Sequence, residues 1–108
     1  MSTPDPGLDR HEWESELETL RPELESAPEQ ALPDLAALVE RMLTVRGYDL
    51  ADPVAVTGGE REVVAEYMAA RETVDLVESG GADPGEVAAA VRGLLAVFDG
   101  LVADRSAS

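Results

Sequence analysis

The feature of this chain that most constrains its fold is a helix-start signal that occurs four times. A residue that caps helices well, Asp, Ser or Thr, is followed three positions later by glutamate, and an apolar helical pattern comes next. In such a capping box the first side chain accepts a hydrogen bond from a backbone N–H one turn ahead, while the glutamate reaches back to the N–H of the cap. The four pairs are Asp9/Glu12, Ser26/Glu29, Thr57/Glu60 and Asp83/Glu86.

Apolar residues spaced three and four apart follow each start, which is the spacing of one helix face. The predicted inward faces are Trp13, Leu17, Leu20 and Leu24; then Leu35, Leu38, Val39, Met42 and Leu43; then Val63, Tyr67, Ala70, Val74 and Val77; and finally Val87, Val91, Leu94, Phe98 and Leu101. Helix 1 is predicted from about Arg10 to Leu20 or beyond, and helix 2 from Ser26 or Pro33 to a glycine stop at Gly47. Helix 3 is predicted from Gly59 to Glu78, where Ser79-Gly80-Gly81 ends it, and helix 4 follows Asp83. Because proline cannot donate a backbone hydrogen bond, we expect a kink or a restart at Pro22.

These patterns predict an all-α fold, a small antiparallel helical bundle of about four helices. The 108 residues fit one domain, over residues 9–104, with a disordered leader at 1–8 and a disordered tail at 105–108. The connection between helices 2 and 3, residues 47–57, is too apolar for a free loop. We therefore expect it to pack against the bundle.

Charge limits the partners of this chain. It has 23 acidic and 8 basic residues, a formal net charge of −15, and contains no lysine, isoleucine or asparagine. A GC-rich genome or adaptation to high salt would each produce such a composition. A negative field disfavours direct binding to nucleic acid or anionic membranes and favours basic partners. With no cysteine, no basic-apolar leader and no apolar run long enough to span a bilayer, we expect a soluble cytoplasmic protein.

Catalytic and metal-binding patterns are not evident in the sequence. The single histidine, His11, has no second histidine four residues away and belongs to no Glu-x-x-His pair, as zinc and di-iron helical sites require. Glu62 and Glu66 fall outside the apolar stripe of helix 3, so we expect them in solvent rather than as a buried acid/base pair. We therefore predict a non-catalytic protein without a metal or cofactor.

Helix 1 is the candidate partner-binding segment. Its apolar residues lie within a ring of acids, and an acidic amphipathic helix can dock in a basic-rimmed apolar groove with tryptophan as its anchor. The competing interpretation is that Trp13 packs on helices 2 to 4 as part of the core. The candidate partner-binding residues are Trp13, Glu14, Glu16, Leu17 and Glu18.

Helix 4 carries a second stripe, made of small residues that would let another backbone approach closely. This stripe can serve a contact within the chain or a two-fold homodimer seam, in which the same patch meets itself. The candidate seam residues are Ala89, Gly93, Ala96 and Gly100.

Three functional hypotheses remain open. The first is a small protein-binding regulator or adaptor that recognises an unidentified, basic protein through an acidic helical face. The alternative is a nucleic-acid mimic that occupies the basic cleft of a DNA-binding protein, which would require clustered carboxylates; the excess of acid leans toward residues 1–27 without being confined there. The third is a ligand- or metal-binding bundle, which would need polar residues on the inner faces, where only Tyr67 is found.

Overall fold

A computed structural model describes residues 6–48 and 59–103, with side chains for 11–48 and 61–103. Those ranges form four α-helices and contain no strand: α1 is Pro6–Ser26, α2 is Pro28–Val45, α3 is Gly59–Glu78 and α4 is Pro84–Ala103. The predicted all-α bundle is therefore confirmed. No helix in these ranges combines the length and apolar character that crossing a bilayer requires.

The start of α4 follows the capping-box prediction. The backbone N–H of Asp83 donates to Oε1 of Glu86 at 3.0 Å, and Oδ1 of Asp83 accepts from the N–H of Gly85 at 3.1 Å. Pro84 occupies the first helical position, where its missing N–H removes no intrahelical hydrogen bond. The local sequence thus supplies hydrogen-bond partners for this helix start.

Two other predicted starts are wrong. α1 begins at Pro6, so Asp9 lies inside the helix and residues 6–8 are helical rather than part of a leader. Ser26 ends α1 instead of capping α2, and its Oγ donates to the Pro22 carbonyl at 2.9 Å. Proline in the first helical position accounts for both shifts, since Pro6 and Pro28 each have the backbone angle that a helix start requires.

Several predictions fall outside the described residues. They are the Thr57 cap, residues 49–57 of the predicted connection, residues 1–5 of the predicted leader, and the predicted tail at residues 105–108.

The predicted restarts at Pro22 and Pro33 do not occur, because α1 and α2 run continuously through both positions, and the alternative kink at Pro22 stays a prediction. Pro22 is exposed, on the side of α1 opposite Trp13, so water can replace the hydrogen bond that proline does not donate. Pro33 lies between Leu32 and Leu35, which are both fully buried. Packing on either side of Pro33 thus outweighs the loss of one backbone hydrogen bond.

Glycine ends α2 and α3 in the same way, as the sequence predicted. Gly47 and Gly80 have φ of +88° and +81°, a left-handed conformation that glycine adopts without steric cost. The next residue in each case, Tyr48 or Gly81, donates its N–H to a carbonyl five residues earlier, at 2.9 and 2.8 Å. These are Schellman caps, which reverse the chain directly after each helix.

The core is built around α2, which packs against α1, α3 and α4, while α3 also packs against α4. Consecutive helices are antiparallel, whereas α2 and α4 run parallel, since Arg46 at the end of α2 reaches the Leu101 carbonyl near the end of α4. Glu16 near the middle of α1 meets Arg41 late in α2, and Glu66 early in α3 meets Gly93 in the middle of α4. The fully buried large side chains are Leu32, Leu35, Leu38, Val39, Met42, Leu43, Val74, Val87 and Leu94.

Truncating Leu94 tests this core assignment. Leu94 is fully buried, so Leu94→Ala should lower the free energy of unfolding by about 2–5 kcal/mol through lost apolar contact and the cavity it leaves. The matched control is Leu76→Ala on α3, which is 39% exposed and should cost less than about 1 kcal/mol. Denaturant unfolding followed by circular dichroism measures both variants, and equal losses would contradict the placement of Leu94.

Candidate protein-binding surfaces

The apolar face of α1 belongs to the core. Trp13 and Leu17 are 8% and 3% exposed, and Leu20 and Leu24 pack half-buried against the same cluster. Of the two interpretations that the sequence left open for Trp13, this is the one in which it packs as core. With α1 docked on α2, neither apolar residue of the candidate partner-binding set is available at the surface.

Arg46, at the end of α2, contacts the ring of Trp13 on α1. Its guanidinium carbon lies 5.8 Å from the centroid of the Trp13 ring, within the range of a cation–π contact. Nη2 of the same group donates to the Leu101 carbonyl at 2.6 Å, near the negative end of the α4 dipole. One side chain therefore joins α1, α2 and α4.

The predicted carboxylates of α1 have different roles in the structure. Glu16 accepts two hydrogen bonds from Arg41, at 3.1 and 2.6 Å, and this pairing raises the pKa of Arg41 above its ordinary value. Glu18 accepts from Nε of Arg21 at 2.8 Å, while Glu14 is exposed. Glu16 thus links α1 to α2 as well as contributing charge.

The remaining outer surface of α1 is dominated by carboxylates. We call its exposed acidic residues the α1 acidic surface: Glu12, Glu14, Glu18 and Glu25. Among the described side chains of α1, Arg21 is the only arginine, and it pairs with Glu18. The sequence of α1 has seven acidic residues against two arginines, so the charge of this helix is negative overall.

The small-residue stripe of α4 runs beside α3. Gly93 is buried, and a side-chain carbon added there would meet the carboxylate of Glu66 from α3. Ala89, Ala96 and Gly100 are exposed on the same side. The stripe therefore makes a contact within the chain at Gly93 and stays open on either side of it.

An open groove lies along this stripe, and we call it the α3/α4 groove. Its larger section has a volume of about 440 Å³ and includes the apolar positions Val63, Ala96, Val97 and Gly100. The exposed residues Glu62 and Glu66 also line it. The groove therefore combines apolar positions with carboxylates, whereas the sequence had predicted that combination on the surface of helix 1.

A second section continues the groove toward the start of α4. It has a volume of about 220 Å³, and Ala69, Ala70 and Ala89 form part of its lining. Glu66 borders both sections. The sequence showed the small residues on α4, but their alignment with Glu66 depends on the register between α3 and α4, which spacing within one helix does not reveal.

The one polar side chain predicted on an inner face is satisfied locally. Tyr67 is 4% exposed, and its hydroxyl donates to Oε1 of Glu40 on α2 at 2.9 Å. Burial, together with the hydrogen bond to the Glu40 carboxylate, raises the pKa of Tyr67 to about 12. Tyr67 therefore joins α3 to α2 in its protonated form and is not directed into a cavity.

The described side chains contain no group of three or more His, Cys, Asp or Glu residues placed to hold a metal ion. Within the same ranges, every buried side-chain nitrogen or oxygen has a hydrogen-bond partner. His11 is exposed in the first half of α1. The surfaces that remain as candidates are the α1 acidic surface and the α3/α4 groove.

Comparison with known proteins adds no family: no protein-family model, curated protein or solved structure matches this chain. A functional assignment therefore depends on its own surfaces and charges.

Titration of Tyr67 tests the α2–α3 link. Because its pKa in the folded protein, about 12, lies above the ordinary value of 10.0, its contribution to stability is fully present below about pH 10. That contribution is lost as the pH rises through 12. We expect the absorbance of tyrosinate to show a transition near pH 12 that persists in Tyr48→Phe and loses the Tyr67 contribution in Tyr67→Phe. A wild-type chain whose tyrosines are both ionised well below that pH would contradict the buried hydrogen bond.

Proposed function

We propose that this chain is a non-catalytic protein-binding module, a small regulator or adaptor whose partner is a basic protein. The observation that carries the proposal is the α1 acidic surface, because it displays exposed carboxylates on a helix with seven acidic residues and two arginines. Such a surface attracts a basic partner over distance and raises the rate of encounter more than it raises the final affinity.

For the proposed complex, the candidate apolar contacts lie in the α3/α4 groove and not on helix 1, where the sequence had indicated them. Stable interfaces need apolar residues at their centre as well as charge at their rim. Trp13 and Leu17 are used inside the core, whereas the α3/α4 groove leaves Ala96 and Gly100 exposed beside carboxylates. The proposal therefore assigns attraction to α1 and the candidate short-range contacts to the groove.

The composition bears on the compartment in which we propose that the protein acts. A chain without cysteine has no need of an oxidising compartment, and we place its function in the cytoplasm. A homodimer through the small-residue stripe is the alternative use of the same groove.

Affinity capture tests the proposal. The tagged chain is incubated with lysate of its source organism at low and at high salt, and retained proteins are identified by mass spectrometry. We expect one basic protein to be retained at low salt and released at high salt, since attraction between exposed charges is screened. Retention should fall in the triple variant Glu12→Gln, Glu14→Gln, Glu25→Gln, which removes three charges from α1.

The control variant changes the same number of charges elsewhere. Asp34, Glu72 and Glu78 are exposed on α2 and α3, and replacing them with the corresponding amides should leave retention near the wild-type level. Equal losses in both triple variants would show that only net charge matters and would contradict a binding surface on α1. A DNA-binding prey that duplex DNA displaces would favour the mimic hypothesis instead.

A further inference from the structure

We propose that the α3/α4 groove docks an amphipathic helix of the partner, one that has arginine or lysine beside its apolar face. This inference rests on the proposed function and specifies what enters the site. Helix-in-groove recognition uses apolar residues spaced three and four apart, which insert into an apolar channel. The dimensions and the charge of the groove each point to this occupant.

The shape of the groove suits a helix. Its two sections are lined by α4 residues from Ala89 to Gly100, which at 1.5 Å per residue span about 16 Å, or three helical turns. Ala96 and Gly100 are one turn apart and present almost no side chain, so a third helix can approach α4 closely. Val63 and Val97 supply the apolar area beside them.

The charge of the groove selects a basic helix. Glu62 and Glu66 are one turn apart on α3, and neither carboxylate has a hydrogen-bond or ion-pair partner within the described residues. The chain segment from 49 to 60 contains no arginine or lysine that could neutralise them. Two cationic side chains one turn apart on a partner helix would match this pair.

The same charges oppose a second copy of this chain as the occupant. A two-fold dimer through the groove would bring Glu62 and Glu66 of both copies together, each copy having a net charge of −15. Like charges placed at an interface disfavour association. A basic helix has the opposite effect, because it neutralises these carboxylates.

Glu66 gives the groove a movable element. Its carboxylate lies against Gly93, and the contacting atoms are the far end of a flexible side chain rather than backbone. Rotation of Glu66 toward an incoming arginine would expose Gly93 and join the two sections of the groove. Docking of the helix and pairing of this carboxylate are therefore coupled.

The test uses the full chain and a fluorescent synthetic peptide of about 18 residues, five turns at 3.6 residues per turn. One face of the peptide is leucine and alanine, its flanks are arginine, and a scrambled peptide of the same composition lacks the amphipathic spacing. Fluorescence polarisation should show saturable one-to-one binding of the amphipathic peptide and at least tenfold weaker binding of the scrambled one. Equal binding of the two peptides, or no binding of either, would overturn the proposal.

Charge-matched variants locate the site. Glu62→Gln with Glu66→Gln should weaken peptide binding about tenfold, equivalent to about 1.4 kcal/mol. The control pair, Glu72→Gln with Glu78→Gln, removes the same charge from exposed positions of α3 outside the groove. Equal weakening by both pairs would show non-specific attraction and would overturn the proposal.

Two variants that add bulk without changing charge give a further test of the binding site. Ala96→Gln fills the groove, whereas Ala88→Gln adds the same group at an exposed position of α4 outside it. Only the first should weaken peptide binding, and circular dichroism should show both variants equally folded. Equal binding by these two variants would contradict docking in the groove.

Other occupants would give different results, and each would overturn the proposal. A dimer of the wild-type chain in sedimentation velocity, absent in Ala96→Gln, would identify a second copy in the groove. Peptide binding that appears only after Leu50, Val54 and Val56 are replaced by serine would identify the chain's own connection. If peptide binding fails while the captured lysate protein still depends on α1, the proposed function stands and only the groove assignment falls.

Discussion

Burial of α2 on several sides is the constraint on which the rest of the structure depends. Its apolar residues occur as adjacent pairs, such as Leu38 and Val39 or Met42 and Leu43, which gives the helix two inward stripes instead of one. One neighbouring helix cannot cover both stripes, so α1 packs on one side while α3 and α4 pack on the other sides. Each leucine buried this way contributes about 1.5–3 kcal/mol.

Because α2 must be buried, the apolar face of α1 is used for packing inside the bundle. The helix has enough apolar residues for one interface, and α2 takes it, with Arg41 and Arg46 holding the contact at Glu16 and Trp13. The exposed side chains that remain on α1 include four glutamates and one arginine. α3 and α4 differ, because small residues at their junction leave apolar surface uncovered beside Glu62 and Glu66. For this reason the proposed function assigns long-range attraction to α1 and short-range contacts to the α3/α4 groove.

Local patterns predicted the fold well where no neighbouring signal competed with them. The Asp83/Glu86 box and the glycine stops at Gly47 and Gly80 were confirmed, because backbone hydrogen bonding within a few residues decides them. The Ser26 cap was wrong, because Pro28 is better suited to the first helical position and the serine hydroxyl turned back to Pro22. Neighbouring signals of similar strength compete, and the sequence does not rank them.

Candidate sites were harder to predict because they depend on contacts between helices. The spacing of Trp13 and Leu17 indicated an apolar face correctly but did not reveal whether the bundle would cover it. Likewise, the small residues of α4 were visible in the sequence, whereas the position of Glu66 over Gly93 follows from the packing of α3 on α4. Amphipathic spacing identifies a face, and the register between helices decides which part of it stays open.

The central claim is that α1 is docked in the core, which leaves Trp13 buried and unavailable as the anchor of a partner. Trp13 is the only tryptophan, which makes its fluorescence a direct probe. Acrylamide is the suitable quencher, because it is neutral and the net charge of −15 would repel iodide. The structure predicts a blue-shifted emission and quenching several-fold weaker than in the denatured chain. Emission and quenching equal to those of the denatured chain would contradict the docked α1 and return Trp13 to the surface as a partner anchor.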